Sequence, residues 1–477
     1  MIRRLTLCMT AVLAIGACSE DRSPTDPSEG SAVALSKNAS PSYVISFSAA
    51  QAGDLKAAIG RAGGKAGFIS KRAGLATAQS ADAAFIAKLA KAPGIKAVAM
   101  DTVVQWVPKE RVKQASIGSN ETFFAAQWAP RSIHAEEAWD AGARGTGARV
   151  AVLDGGLNNN HIDLNNSVDV ARSKSFVFTP TGIEIPFNQD VPCPTVCFSH
   201  ATHVAGIIAA EDDDIGTIGI APGATIIGVK VLHGGSGSFG AVISGIVYAA
   251  TQTAEGGNAD IINMSLGATF PSGRDIKVRA LKAMLDQATT FAHNEGVLVV
   301  ASTGNGDKHG GIDHDLGQRF TLPAQADHVV GVSALGPVGF ALGATNFERL
   351  ASYSNFGRRI VDFSGPGGDF VLPGNALCNV GVVTDFPCWA FDMVVSPASI
   401  GAGADANFVY FWAAGTSMSA PAVAGVAALV IGTKGPMSPD AAGAEALFDH
   451  LADTADDLPG GERVHGQGRV NAFEATQ

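Results

Sequence analysis

Five short apolar runs punctuate the chain: Val150–Leu153, Thr225–Leu232, Ile261–Met264, Val297–Ala301 and His328–Ala334. Each is too short for a helix and apolar at consecutive positions, which predicts strands buried on both faces. Between them, His200–Ala210, Phe239–Thr253 and Asp275–Asn294 carry helical patterns. Strands alternating with helices predict a parallel sheet covered on both sides. The N-terminal part reads differently. Tyr43–Phe47 is a strand, Gln51–Arg61 and Ala81–Lys91 are helix-like, and Ile95–Val107 returns to strand alternation. This β–α–β–α–β order predicts a separate unit of about 65 residues, a size at which independent folding is marginal. No internal repeat is present.

Chemistry is concentrated where strands hand over to helices. Arg149 to Asp154 ends in an acid followed by Gly155 and Gly156, and acids at the carboxyl ends of such strands face the ligand crevice. His200 opens a small-residue helical run, and Ser417 opens another, in Gly415-Thr416-Ser417-Met418. A serine alone there would be read as a helix cap. With Asp154 and His200 ahead of it, the order Asp, His, Ser matches one known order of the catalytic triad. The residue types suit the chemistry: the imidazole removes the hydroxyl proton and the carboxylate fixes its tautomer.

These motifs resemble the subtilases, the subtilisin-like serine proteases of peptidase family S8, from about Tyr43 to the C-terminus. The resemblance implies an α/β fold: a three-layer catalytic domain with a mainly parallel sheet, preceded by a small α+β ferredoxin-like pro-domain of inhibitor type. It implies a serine endopeptidase with Asp154, His200 and Ser417 as the triad, His203 as a packed structural residue, and Asn305, at the end of Val299 to Asn305, as an oxyanion donor. It further implies a peptide groove between Ser265-Leu266-Gly267 and Gly235-Ser236-Gly237, floored by Ser302-Thr303-Gly304. Three departures touch the fine geometry and remove no reacting atom: Ala201 after the base, Gly155 after the acid, and Ser419-Ala420-Pro421 after the nucleophile.

The run Glu211 to Thr217 is acidic, which by itself reads as a solvated turn. It aligns without gaps with the family's calcium loop. The resemblance nominates Asp213, the carbonyls of Glu211, Ile215 and Thr217, then Asp163 and Gln127, as ligands of a structural Ca2+. A second polar cluster, Asp307, His309, Asp313, His314 and Asp315, fits no standard metal spacing and reads as a surface loop. Cys193, Cys197, Cys378 and Cys388 form an even set, for which local pairs 193–197 and 378–388 are the simplest of three connectivities. A zinc site is the alternative, with loose spacing against it.

Composition sets the setting. The 477 residues are 46% hydrophobic and 16% charged, which suits core-rich globular domains. A net charge of −11 argues against nucleic acid as a partner. Arg3-Arg4 followed by apolar Leu5 to Ile15 forms a secretory signal, and Ile15-Gly16-Ala17-Cys18 resembles a bacterial lipobox. The expected organisation is a signal peptide over 1–17, a lipidated Cys18 opening a flexible tether over 18–41, a pro-domain over 42–108, a cleavage linker over 109–125 and a catalytic domain over 126–477. The expected protein is exported, a monomer, held at the membrane through lipid at Cys18 or released extracellularly, inhibited by its own pro-domain and acting on protein or peptide substrates.

Overall fold

The computed structural model describes residues 40–106, 112–115, 123–190, 198–272, 276–400 and 407–477. The expected signal peptide, the expected tether up to residue 39, and Cys193 with Cys197 lie outside the described residues.

The N-terminal unit contains β1 (Ser42–Phe47), α1 (Leu55–Arg61), β2 (Lys65–Ser70), β3 (Leu75–Gln79), α2 (Phe85–Leu89) and β4 (Ile95–Met100). Its antiparallel sheet has the order β2-β3-β1-β4. Alternation along β1 explains how the unit is held. Tyr43, Ile45 and Phe47 pack with Leu55, Ile59, Phe85 and Leu89 in the unit's own core. Val44, Leu75 and Ala99 point the other way, into the core of the larger unit. The sheet is therefore buried on both faces. The expected strand Ile95–Val107 breaks at Asp101, and its second half, β5 (Val103–Gln105), leaves this sheet. Within the expected cleavage linker, β6 (Val112–Ala115) is also a strand.

After the short helices α3 (Trp128–Ser132) and α4 (Ala135–Asp140), the larger unit builds a seven-stranded sheet. Its elements are β7 (Arg149–Asp154), β8 (Lys174–Ser175), α5 (His200–Ala209), β9 (Thr225–Lys230), β10 (Ser236–Ser238), α6 (Phe239–Ala250), β11 (Ile261–Met264), β12 (Ala268–Pro271), α7 (Ile276–Asn294), β13 (Leu298–Ser302), β14 (Arg319–Leu322), β15 (Val329–Leu335) and β16 (Phe363–Pro366). The order β16-β15-β13-β11-β7-β9-β8 is parallel throughout. Val150 and Val152 join the core under α5 and the helix that carries Ser417. Ala151 and Leu153 join the core under α6 and α7. Apolar residues at consecutive positions thus serve two cores, as the pattern predicted.

A hairpin of β17 (Leu377–Val380) and β18 (Val383–Pro387) is closed by the Cys378–Cys388 disulfide. A second, β19 (Val394–Ile400) with β20 (Asn407–Ala413), takes β6 as a third strand. β20 runs directly into α8 (Thr416–Lys434), which is buried from Thr416 to Ile431. By length and composition α8 alone among the described helices is apolar enough to cross a membrane, yet it is the central core helix of this fold.

The N-terminal unit sits on α6 and α7. Gln287 of α7 donates to the carbonyls of Ala73 (2.7 Å) and Gly74 (3.2 Å) and accepts from the Ser46 hydroxyl at 2.6 Å. The Asp101 carboxylate accepts from Gly240 N–H at 3.1 Å, in the first turn of α6, where orphan donors and the helix dipole favour an anion. Burial raises the pKa of Asp101, opposed by these same donors.

Candidate active site

Asp154 is the last residue of β7, and His200 the first of α5. The two meet as Nδ1 to Oδ2 at 2.7 Å, both buried. The other Asp154 oxygen accepts from Gly155 N–H at 2.6 Å, so the carboxylate is held at both ends. The glycine turn is required sterically. A Cβ on Gly156 would lie 2.3 Å from the Gln189 backbone, and one on Gly155 would lie 2.8 Å from Asp190. At Gly155 the close atoms are the end of the Asp190 side chain, which can turn away, so the steric demand for glycine falls on Gly156, against backbone.

Ser417 lies in the first turn of α8, where backbone N–H groups have no intrahelical acceptor. Its hydroxyl donates to the Ser265 carbonyl at 3.2 Å. Pro421 shapes this turn. It has no N–H, so the Ser417 carbonyl, four residues earlier, loses its helical partner. The Ser265 hydroxyl donates to that carbonyl instead, at 2.8 Å, and Asn263 Nδ2 donates to the Ser265 hydroxyl at 2.9 Å. Ser265 therefore grips the nucleophile's residue twice. In sequence Ser265 reads only as a groove residue and Asn263 carries no signal of its own; the missing proline donor is the available clue.

Asn305 follows Gly304, whose φ of +98° turns the chain out of β13. The Asn305 side-chain oxygen accepts from both the N–H and the hydroxyl of Thr416, each at 2.8 Å. With its oxygen held there, the amide is oriented by Thr416 and its NH₂ is left to donate elsewhere. Thr416 also accepts from Gly304 N–H at 3.0 Å, tying the two loops together. In sequence Thr416 reads only as part of the nucleophile motif.

The groove residues divide into two sets. Gly235, Ser236 and Gly237 form one rim and Leu266 and Gly267 the other, and the chain's own segment lies between them. β5 pairs antiparallel with β10, Trp106 N–H donates to Gly235 O at 3.0 Å, and Gly267 N–H donates to Trp106 O at 2.6 Å. The Trp106 ring is wholly buried, 4.8 Å from the Phe239 ring, with Nε1 donating to Gly237 O at 2.9 Å. Ser302 and Thr303 are buried beneath the rim. Thr303 gives its hydroxyl to Val332 O at 3.1 Å, and so supports the groove instead of lining it.

His203 is completely buried, with Nε2 at 3.1 Å from Phe411 O; burial pushes its pKa down to about 3. It is neutral at working pH, which matches the packed role.

The nominated calcium ligands come only partly together. Asp163 is buried, and desolvation first, then the charge of Asp213, pushes it up to about 7, against donors from Thr217 and Tyr410. Burial, with the charges of Glu211, Asp214 and Asp212, also raises Asp213, and carboxylate oxygens are the donors a hard cation takes. Asp163 accepts from Thr217 N–H (2.9 Å) and the Tyr410 hydroxyl (2.9 Å). Gln127 engages both ends of its amide with Ile218, and Glu211 binds Asn166 through its carboxylate. Among the described residues no group of three His, Cys, Asp or Glu gathers for a metal. In the second polar cluster Arg463 binds Asp313 and Asp315, and Arg319 binds Asp307.

A buried Asp–His pair at a strand end, a serine at a helix start and an asparagine oriented beside it are the residue types that serine hydrolases use on carbonyls. Comparison with known proteins narrows the class. Residues 145–469 match the model of the subtilase family, and the chain belongs to that family, whose members are serine endopeptidases using a catalytic triad. Thermitase of Thermoactinomyces vulgaris is 30% identical over 361 residues, covering 75% of this chain and 99% of that protein. Subtilisin E of Bacillus subtilis (strain 168) is 30% identical over 385 residues, covering 80% and 78%. Among solved structures, the epidermin leader peptide processing serine protease of Staphylococcus aureus superposes with a TM-score of 0.65 at 20% identity, covering 92% of this chain and 98% of that one. Fervidolysin of Fervidobacterium pennivorans gives 0.61 at 22%, covering 93% and 62%. These two establish likeness of fold.

Proposed function

We propose that the chain is an exported, self-processing endopeptidase in which Asp154, His200 and Ser417 are the triad and Asn305 the oxyanion donor. The observation that carries the reading is the Asp154–His200 contact at 2.7 Å beside a groove in which a peptide segment is paired as a strand. The serine hydroxyl leaves the Ser265 carbonyl, passes its proton to His200 Nε2, and its oxygen attacks the scissile carbonyl. Asp154 holds the imidazole and steadies its charged form. Asn305 Nδ2 and the Ser417 N–H bind the developing oxyanion. His200 then protonates the leaving amine, and water resolves the acyl-enzyme. A fluorophosphonate probe should label the processed wild type and leave Ser417→Ala unlabelled; equal labelling of both forms would remove Ser417 from the role.

In this reading residues 42–108 are an inhibitory pro-domain, supported by Val103–Trp106 lying in the groove. Cys18 carries lipid, and cleavage beyond Trp106 frees the catalytic unit from the anchor. Mass spectrometry of active enzyme still joined to acylated Cys18 would contradict that order. Calcium, held by Asp163, Asp213 and loop carbonyls, would screen the two carboxylates and stiffen the loop. A chelator should then lower the thermal midpoint; an unchanged midpoint in Asp163→Asn and in chelator alike would exclude it.

A further inference from the structure

We propose that Lys230 is a positioning residue of the triad: its buried ammonium is the counter-charge shared by Asp154 and Asp190, and it ties the acid that holds His200 to the rim of the groove. The inference rests on the endopeptidase reading and gives it a residue beyond the triad and the oxyanion donor. Lys230 is the last residue of β9 and stands opposite Asp154 in the parallel register. Partners in register share a face of the sheet, and alternation along both strands makes it the α5 face. On β7, Val150 and Val152 lie in the core beneath α5; on β9 so does Ile226, while Ile227 and Val229 belong to the opposite core. A long basic side chain thus enters the layer in which Asp154 meets His200, and it is wholly buried there. Lysine is almost never so placed without a partner.

The surroundings supply the partners. Nζ donates to Leu232 O at 2.7 Å, and Leu232 N–H donates to the Asp154 carbonyl at 3.0 Å. Burial pulls the ammonium down to about 8, opposed by the charges of Asp190 and Asp154, so it stays protonated at neutral pH. Asp190 reaches two ways. A Cβ on Gly155 would lie 2.8 Å from its Oδ2, so this carboxylate fills the space beside the residue after Asp154. Its Oδ1 accepts from Gly234 N–H at 2.9 Å, next to the rim formed by Gly235, Ser236 and Gly237. His233 Nδ1 stands 3.7 Å from the same oxygen, and burial, then the Lys230 charge, lower its pKa, so it is uncharged at neutral pH. With His200 and His233 neutral, Asp154, Asp190 and Lys230 sum to one negative charge; without the ammonium they sum to two. The added negative charge would favour the imidazolium form of His200, which cannot take the serine proton. Lys230 therefore keeps the base free at lower pH.

The test is the pH profile of kcat/KM for a quenched fluorogenic peptide, measured on enzyme matured from the full chain; its acidic limb reports the free base. Lys230→Met keeps the length of the side chain and removes the charge. Its acidic limb should move up by about one pH unit, the effect of one charge at close range, so activity at a fixed pH on that limb falls about tenfold. Asp190→Asn removes the opposite charge from a partly exposed site and keeps an acceptor for Gly234. Its limb should move down, about half as far, with KM little changed. Lost packing alone lowers kcat or the thermal midpoint and does not displace the limb in opposite directions in the two variants. Limbs that stay in place, or that move the same way, would overturn the inference while leaving the protease reading intact. If Lys230→Met does not mature, Asp190→Asn decides alone, and a limb that fails to move down overturns the inference. A wild-type enzyme that hydrolyses no peptide would overturn the endopeptidase reading itself.

Discussion

Replacing Trp106 by alanine isolates the side chain's contribution to the proposed self-inhibition. The backbone bonds to Gly235 and Gly267 survive the change; the buried ring, its contact with Phe239 and the Nε1 bond to Gly237 are lost. Truncating a fully buried tryptophan costs about 3–5 kcal/mol. The vacated pocket belongs to a cleft that water refills once the segment leaves, so the lower figure applies. About 3 kcal/mol corresponds to roughly a hundredfold weaker binding. The assay is inhibition in trans of mature enzyme by the N-terminal fragment released on processing. The wild-type fragment is compared with its Trp106→Ala form, the two checked for equal folding by circular dichroism. Trp106→Phe should recover most of the loss, since an aromatic ring restores the Phe239 contact and forfeits only the indole bond. An inhibition constant unchanged by Trp106→Ala would refute the view that the groove is held by this ring.

Other expectations follow from single contacts. Asp154→Asn should lower kcat about 10⁴-fold with KM little changed, by giving His200 the wrong tautomer. Asn305→Ala should lower kcat about 10²–10³-fold, the effect of one oxyanion donor, with no change in the thermal midpoint beyond a few degrees. Asp101→Ala removes an anion from the N-terminus of α6 and should weaken trans inhibition by the fragment about fivefold, at the scale of helix-dipole contacts. Asp362 is pushed up to about 6 by burial. An acid whose folded pKa lies above its unfolded value is stabilising when protonated, so stability falls as pH rises from about 4 to 6. Asp362→Asn should flatten that part of the melting-temperature profile, and an unaltered slope would exclude the residue.

The large sheet was legible because its strands are apolar at consecutive positions and separated by helices, a pattern with few other solutions. All five strands read from sequence exist, with ends shifted by a residue or two. The proposed catalytic positions stand out in the sequence because they fall at strand ends and helix starts with the residue types that acyl transfer needs. What sequence did not reveal depends on partners far along the chain. β2 and β3, rich in Ala, Gly and polar residues, have little strand character and form through pairing with β1 and burial of Ala76 and Ala78. β5 reads as the continuation of β4, since nothing local records that its partner is Ser236–Ser238, more than a hundred residues on. The orienting role of Thr416 depends likewise on Asn305, which it meets only after folding. The residues nominated for calcium could be picked out by resemblance, but the turning of Gln127 toward Ile218 could not.

The proposed nucleophile is borne by a helix with no solvent side over most of its length. Nothing short of opening the whole molecule can displace Ser417, so heat should abolish turnover and tertiary structure at one temperature, with no window of a folded but idle enzyme. Amide protons along Val423–Leu429 should accordingly be among the last to exchange, and the same core that hides them makes the catalytic hydroxyl as durable as the fold itself.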